Sequence, residues 1–228
     1  MLRLLPESNQ RTEVLCAVGN FPPPGGDKNG WYWAVSLMSY GETVSDAKAA
    51  ADVFRTSALP ALSTVRIDDN EVLDYLDLYS QLETDFYAQY RTTEMAVFTE
   101  EPGKVVRMVA ERFSQEAVDS RSFGFCVLGT NPTVPEPCSF TYSAPHYVSW
   151  YLMGTTNEDV QANYALLDKM HDELRPYING YNINEIDLAH DVSLAKQCFS
   201  DCKWEKLLEV RKSYDPEKRF KSYIDMLT

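Results

Sequence analysis

Two segments near the C-terminus are the most distinctive parts of this sequence. The first reads GYNINEID and covers residues 180–187, and the second reads WEKLLEVRKSYDP and covers residues 204–216. Asp191 and Phe199 lie between them, and Phe220 follows. The second segment overlaps a predicted helix at 203–213. The rest of the fold is predicted from the strands and helices that precede them.

Upstream of these segments, strands occur in adjacent pairs as well as in alternation with helices. The predicted strands cover 11–18, 31–40, 64–67, 87–98, 123–128 and 140–153. Four other helices are predicted. The first runs from its cap Asp46 to near 59, the second covers 70–82, the third runs from Pro102 to near 113, and the fourth runs from its cap Asn157 to the residue before Pro176. This order favours an α+β fold, with an antiparallel sheet of about six strands and helices packed on one face. We expect residues 1–228 to form a single domain.

Charge and cysteine content exclude several classes of protein. The 21 basic and 34 acidic residues give a net charge of −13, which disfavours nucleic acid and anionic membranes as partners. No apolar run is long enough to cross a bilayer, and the first ten residues do not resemble a secretory signal. The five cysteines form no disulfide framework, so we expect a cytoplasmic protein with reduced thiols.

Motifs for nucleotide binding and metal binding are absent or weak in the sequence. The chain lacks GxGxxG, GxxxxGK[ST], GxSxG and HExxH patterns. His190, Cys198 and Cys202 lie within a short stretch, but a structural zinc site wants four ligands, usually from CxxC-type pairs. Two small buried thiols on a helix are the favoured interpretation, and we expect no metal site.

The segment YSAPHYVSWY, residues 142–151, is the strongest candidate for a binding surface. Alternation along a strand places Tyr147, Ser149 and Tyr151 on one face of the sheet. The opposite face then carries His146, Val148 and Trp150. Two interpretations stay open, a half-exposed edge strand and a pocket lining in which tyrosine and histidine orient a ligand and transfer protons.

Arg91 lies in another predicted strand, at 87–98. It shares one predicted face with Tyr87, Gln89 and Thr93. A surface ion pair and a contact with the substrate are both compatible with that position.

The two C-terminal segments resemble the signature of the FAD-linked oxidoreductases of the berberine bridge enzyme type. In that family a Tyr-x-Asn-Glu/Tyr-x-Asp segment precedes a helix reading roughly Tyr-x-Arg-Leu-x-x-Ile-Lys-x-x-Tyr-Asp-Pro. Residues 90–98 with 105–113 resemble the family's strand–helix unit, and 143–154 its long aromatic strand. The likeness covers most of the chain and is strongest after Gly180. It implies the substrate-binding domain of the family.

The sequence departs from the family in two ways. The family places a complete flavin-binding domain before this one. We expect that 228 residues leave no room for such a domain. Its usual Gly-x-Asn-Tyr before the last helix, a turn that approaches the flavin, is replaced by Asp201-Cys202-Lys203-Trp204. The resemblance therefore implies a substrate domain that binds no FAD. We expect a homodimer, because the sheet face that lies over the flavin in the family would otherwise be a bare apolar surface.

The resemblance leads to two functional hypotheses. The first is a cofactor-independent isomerase or cyclase of a polycyclic or polyketide-like natural product, because proton transfer needs only placed side chains whereas redox chemistry needs a cofactor. The second is half of a split FAD-dependent oxidoreductase, with the FAD on a separate domain or subunit, or a non-catalytic ligand-binding protein. The catalytic candidates are Glu185, Tyr151, His146 and Tyr147. The substrate-binding candidates are Arg91, Ser149, Tyr181, Asn184 and Trp150.

Overall fold

A computed structural model describes residues 11–20, 30–58, 61, 76, 90–116, 118–129 and 144–227. It contains a six-stranded sheet in which all neighbouring strands are antiparallel. The strands are β1 (Thr12–Gly19), β2 (Tyr32–Ser39), β3 (Arg91–Thr99), β4 (Phe123–Leu128), β5 (His146–Gly154) and β6 (Gly180–Tyr181). Their order in the sheet is β2-β1-β4-β5-β3-β6, so β5 lies between β4 and β3.

Five α-helices are described alongside the sheet. They are α1 (Val44–Arg55), α2 (Pro102–Gln115), α3 (Asn157–Leu174), α4 (Leu194–Gln197) and α5 (Asp201–Tyr214). Short 3₁₀ turns cover Arg175–Tyr177 and Tyr223–Met226. None of the described helices is long and apolar enough to span a bilayer.

The hydrophobic core lies between one face of the sheet and helices α2 and α3. We call this side the helix face, and Val148, Trp150 and Leu152 of β5 are completely buried on it. Gly124 allows the close approach of α2, because a Cβ atom there would lie 3.1 Å from Cγ1 of Val109. The predicted α+β fold, with an antiparallel sheet and helices on one face, is confirmed.

Two predicted helix caps are wrong by one to three residues. Thr43, and not Asp46, caps α1, and Thr156, and not Asn157, caps α3. Each threonine hydroxyl accepts from the backbone N–H three residues on, and the aspartate there accepts from the threonine N–H, which is a capping box. Asp46 is therefore the third residue of α1, and Asn157 is the first residue of α3.

Other element boundaries also differ from the predictions. Helix α1 ends at Arg55, before the predicted end near 59, and β5 begins at His146, one residue after Pro145. The start predicted for β5 at 140 falls outside the described residues. The predicted strand at 64–67, most of the predicted helix at 70–82 and the loop predicted at 131–137 also lie outside them.

Candidate functional site

Two tyrosines of β5 share one carboxylate. The hydroxyls of Tyr147 and Tyr151 both donate a hydrogen bond to Oε2 of Glu185. The two tyrosines point the same way because they are four residues apart on a strand, where side chains alternate between faces. We call the surface that carries Tyr147, Ser149 and Tyr151 the tyrosine face, and it is the side of the sheet opposite the helix face.

The turn after β6 brings Glu185 over this surface. The Asn182 N–H donates to the carbonyl of Ala96 at 3.1 Å, and the Asp187 N–H donates to the carbonyl of Glu94 at 3.3 Å. Both ends of the turn are thus attached to β3. Within it, the Glu185 N–H donates to the carbonyl of Asn182 at 3.0 Å, which closes a tight turn that ends at Glu185.

Asn182 holds the second oxygen of the carboxylate. Its Nδ2 lies 3.5 Å from Oε1 of Glu185, while its Oδ1 accepts from the Asn184 N–H at 3.3 Å. The Asn182 side chain is buried. Glu185 therefore accepts hydrogen bonds from three side chains, and one of them, Asn182, also accepts a hydrogen bond within the turn.

The environment keeps both phenols protonated. Burial, followed by the hydrogen bond to the negative Glu185, raises the pKa of Tyr147 and of Tyr151 well above the ordinary phenol range. Neutral phenols are hydrogen-bond donors. The cluster is thus one carboxylate acceptor with two phenol donors, which is a set of groups that can accept a proton at one atom and donate one at another.

Aromatic rings surround this cluster. The Tyr151 ring stacks on Phe123 with centroids 4.8 Å apart, and Phe125 lies 5.9 Å from Tyr151 and 5.8 Å from Tyr147. Phe98 of β3 contacts Tyr147 from the other side, at 5.7 Å. Phe123, Phe125 and both tyrosines are only partly buried. They form a surface suited to a flat, apolar ligand.

Two further carboxylates lie near Glu185. Glu94 is directly opposite Tyr151 in the β3–β5 register, and Asp187 follows two residues after Glu185. Burial raises the pKa of Glu94, and the charges of Glu185 and Asp187 raise it further. Asp187 is anchored by α3, because the Tyr164 hydroxyl donates to its Oδ2 at 2.8 Å.

Ser149 lies on the tyrosine face between the two tyrosines. It is 1 % exposed, and its Oγ has no hydrogen-bond partner of standard geometry. It is nevertheless close enough to affect the pKa of both tyrosines.

Five of the sequence candidates lie away from this cluster, and four of them occupy strand positions on the helix face. His146 and Trp150 belong to that face, where burial lowers the pKa of His146. Tyr181 pairs with Val97 on the same face, and its hydroxyl lies 2.7 Å from Nε2 of His171. Their predicted roles in catalysis and substrate binding are therefore not supported by their positions.

Arg91 and Asn184 are the other two. Arg91 is exposed at the end of β3 and donates to Oδ1 of Asn157, a residue at the start of α3, so its position does not support a contact with the substrate. Asn184 is exposed at the tip of the turn.

The structure thus brings together four of the predicted residues and adds four that sequence reasoning had not selected. The four predicted residues are Tyr147, Ser149, Tyr151 and Glu185, and the four additions are Asn182, Glu94, Phe123 and Phe125.

The His190, Cys198 and Cys202 group does not form a site. His190 stacks on Tyr164 at 4.1 Å and contacts Oδ1 of Asp168 at 2.7 Å. Cys198 is buried and donates to the carbonyl of Leu194, whereas Cys202 is exposed. Across the described part of the chain, no three His, Cys, Asp or Glu residues are placed to hold a metal ion.

Comparisons with known proteins identify the fold. The chain is similar to the crystal structure of 6-hydroxy-D-nicotine oxidase from Arthrobacter nicotinovorans, with a TM-score of 0.68 and 14% identity over 96% of this chain and 48% of that one. It is similar to a variant of berberine bridge enzyme in complex with (S)-reticuline, with a TM-score of 0.67 and 15% identity over 96% and 49%. The BBE-like 1 protein of Physcomitrella patens gives a TM-score of 0.65 and 13% identity over 97% and 48%.

The chain spans about half the length of these solved structures. It has the fold of about one half of solved FAD-linked oxidases of the berberine bridge enzyme type, as the sequence resemblance predicted. No family model matches the sequence, and no curated protein matches it. The identities are low, so the likeness establishes the fold and leaves the activity to be argued from the site.

The tyrosine face does not fit a whole FAD molecule. Its aromatic rings could stack against a flavin ring, but its strand positions hold no lysine or arginine among the described residues. The nearby charges, Glu94, Glu185 and Asp187, are negative and would repel the diphosphate. A flavin would need its phosphate site from another part of the protein or from another chain.

Proposed function

We propose that this domain catalyses proton transfer on a flat polycyclic substrate, as a cofactor-independent isomerase or cyclase of a polyketide-like natural product. The observation that carries the proposal is the shared acceptor, since Tyr147 and Tyr151 both donate to Oε2 of Glu185. A general base and a general acid must lie within reach of the same substrate, and this cluster supplies both.

The reaction begins at Glu185. Its carboxylate removes a proton from a carbon next to a substrate carbonyl, the C–H electron pair forms an enolate, and the carboxyl group holds the proton. A phenol of Tyr147 or Tyr151 then donates its hydrogen bond to the enolate oxygen in place of Glu185. Return of the proton to a different carbon gives an isomer, whereas attack of the enolate on an electrophilic carbon of the same molecule gives a ring.

The aromatic surface supports the choice of substrate. Phe123, Phe125 and the Tyr151 ring are nearly parallel, with interplanar angles of 13° to 22°. Ligand sites are lined mainly by apolar and aromatic groups with a few placed polar ones, and the carboxylate and phenols have that second role in this cluster. A flat ring system resting on these side chains would place its edge beside Glu185.

A second candidate is a component of an FAD-dependent oxidoreductase. The observation in its favour is that the chain matches one half of solved oxidases of this fold. A separate domain or subunit would then hold the FAD, and the flavin would supply hydride-accepting chemistry. An absorption spectrum of the purified protein distinguishes the two candidates, because bound flavin absorbs visible light.

A homodimer and a cytoplasmic location belong to the same proposal. A second copy would close over the half-buried aromatic rings of the tyrosine face and enclose the substrate between the two copies, and the cysteines would stay reduced. Light scattering that gave only the monomer mass of 26.0 kDa would contradict the dimer.

Deuterium exchange tests the proposed chemistry directly. Polycyclic ketones with an acidic C–H would be incubated with the flavin-free protein in D₂O, and NMR would follow exchange at that carbon. We expect exchange or product formation with the wild-type protein and a loss of roughly 100-fold in Glu185→Gln. Exchange that proceeds equally in both proteins would contradict the role of Glu185.

A further inference from the structure

We propose that Cys16 and Cys126 are a site of oxidative modification, where a reversible disulfide forms between β1 and β4 when the protein meets a peroxide. The inference goes beyond the proposed function and does not depend on it, because both thiols belong to the helix face and not to the tyrosine face. It comes from the register of the two strands, from the difference in burial between the two thiols and from the positions of the other described cysteines.

Cys16 and Cys126 lie directly opposite each other on neighbouring antiparallel strands. Residues in that relationship have Cα atoms about 4.5 or 5.5 Å apart, and a disulfide accepts Cα separations of about 4.4–6.8 Å. Opposite side chains also point to the same side of the sheet, and Cys126 pairs in turn with Val148 of the helix face. The strand register therefore permits a disulfide at this position.

The two thiols also affect each other. Burial raises the pKa of Cys16 and of Cys126, and the charge of Cys16 raises the pKa of Cys126 further, as expected of sulfur atoms that lie close together. A thiol reacts as its thiolate, and a raised pKa leaves little thiolate at neutral pH. The pair therefore stays reduced until an oxidant is supplied.

The two thiols differ in their access to solvent. Cys126 is 1 % exposed, whereas Cys16 is partly exposed. On its other side Cys16 pairs with Val35 of the edge strand β2, and Val35 is 54 % exposed. An oxidant therefore reaches Cys16 first, and Cys126 is the second thiol that completes the bond.

The bond forms in two balanced steps. The Cys16 thiol loses its proton, its sulfur attacks one oxygen of hydrogen peroxide, the O–O bond breaks, and the departing hydroxide takes up the proton as water. Cys16 is then a sulfenic acid. The Cys126 sulfur attacks the Cys16 sulfur, the S–S bond forms as the S–O bond breaks, and hydroxide leaves with the Cys126 proton as water. Two thiols thus lose two electrons and two protons, the peroxide becomes two water molecules, and an added thiol reverses the bond by exchange.

The other described cysteines lie in the helical part of the chain after β6. Cys198 is buried and donates to the carbonyl of Leu194, and Cys202 is exposed in α5. Neither belongs to a strand, so among the four described cysteines Cys16 and Cys126 alone are held opposite each other by strand pairing. The disulfide would tie the paired strands β1 and β2 to β4, which lies far from them in sequence.

Peptide mapping of the oxidised wild-type protein tests the proposal. The folded protein and the protein unfolded in urea would be treated with hydrogen peroxide at about pH 8.5, near the ordinary thiol pKa, and the remaining thiols would be blocked with N-ethylmaleimide. Chymotrypsin can cut after Leu128 and so separates Cys126 from Cys138. In the folded protein we expect the Cys16–Cys126 peptide to be at least about tenfold more abundant than any other linked pair. In urea this preference should be lost, because loop closure then favours cysteines that are close in sequence.

A matched pair of serine variants checks the roles of the thiols. Cys16→Ser removes the accessible thiol of the pair, and Cys202→Ser removes an exposed thiol from α5. We expect Cys126 to remain an unmodified thiol in folded Cys16→Ser, because burial shields it, and we expect Cys202→Ser to form the bond like the wild type. Circular dichroism would establish that both variants are folded, and the wild-type map decides the proposal if Cys16→Ser does not fold.

Several results would overturn the proposal. They are a different linked pair that dominates in the folded protein, Cys16 and Cys126 both blocked by N-ethylmaleimide after peroxide treatment, and a preference that persists unchanged in urea. A bond that excess dithiothreitol does not break would contradict its reversibility. Each of these measurements is made without a substrate, so their outcome is separate from that of the proposed function.

Discussion

Tyr151 donates its phenol hydrogen bond to Glu185, a residue 34 positions further along the chain and on a different element. The contact joins the middle of the sheet to the turn after its edge strand. Because the same carboxylate oxygen also accepts from Tyr147, one acidic side chain organises the whole cluster. Its replacement is therefore the most informative change in the protein.

Glu185→Gln should lower turnover by roughly 100-fold or more, because an amide of the same shape cannot act as a general base. The amide oxygen can still accept from the two phenols, so the fold should persist. Steady-state kinetics and a thermal melt would be compared with Glu111→Gln, a charge change on the exposed side of α2. A variant that melts like the wild type and keeps full activity would remove Glu185 from the mechanism.

Part of this site was predictable from the sequence, and the reason is the period of a strand. Alternation alone placed Tyr147, Ser149 and Tyr151 on one face, and the structure agrees. The participation of Glu185 followed from the family resemblance, which located its segment near the same strand. Asn182 belongs to that segment too and contacts Glu185, whereas Tyr181, the residue before it, pairs with Val97 on the helix face.

The remaining residues depend on register between strands, which the sequence of each strand does not specify. Glu94 belongs to the site because it lies opposite Tyr151, and Phe123 belongs to it for the same reason on the other side. Arg91 falls on the other face since it shares the parity of Thr93, whose partner Leu152 is in the core. A hydrophobic pattern fixes which face of a strand is buried, but not its neighbour residue by residue.

The cap of α3 provides a test of the local structure. Thr156→Ala removes the hydroxyl that accepts from the Asp159 N–H and should destabilise the protein by about 1 kcal/mol. Asn157→Ala is the matched control, since Asn157 is already helical and offers only an exposed contact to Arg91. Chemical denaturation would be used for both. A larger loss for Asn157→Ala would mean that the helix starts one residue later.

Glu94 should make stability depend on pH. Its pKa in the folded protein is raised above the ordinary 4.5, so the folded state binds this proton more tightly than the unfolded state. The contribution of Glu94 is therefore most favourable below pH 4.5 and declines as pH rises through the raised value. Glu94→Gln, which cannot ionise, should melt higher than the wild type at neutral pH.

The difference between Glu94→Gln and the wild type should shrink as the solution is acidified below the ordinary carboxyl pKa, where the carboxyl of the wild type is also neutral. Melting curves across this range measure it, and Glu111→Gln, a change at an exposed position of α2, again serves as the control. A Glu94→Gln protein that is less stable than the wild type at neutral pH would indicate a favourable contact of the carboxylate and would contradict the expected direction.

The two phenols allow the acid and base roles to be separated. Tyr147→Phe and Tyr151→Phe each remove one hydroxyl and keep a ring that packs against Phe125. Suppose that one phenol donates to the substrate and the other only orients Glu185. The variant without the donating phenol should then lose roughly 100-fold in kcat, the usual range for a general acid, and the other variant should lose much less. Kinetics of both variants and of the double variant, with melting temperatures, would decide which is which.

If the phenols act through one carboxylate, their effects should not add, because residues in one hydrogen-bond network are coupled. Additive losses, or full activity in the double variant, would show that the shared contact to Glu185 has no part in the reaction.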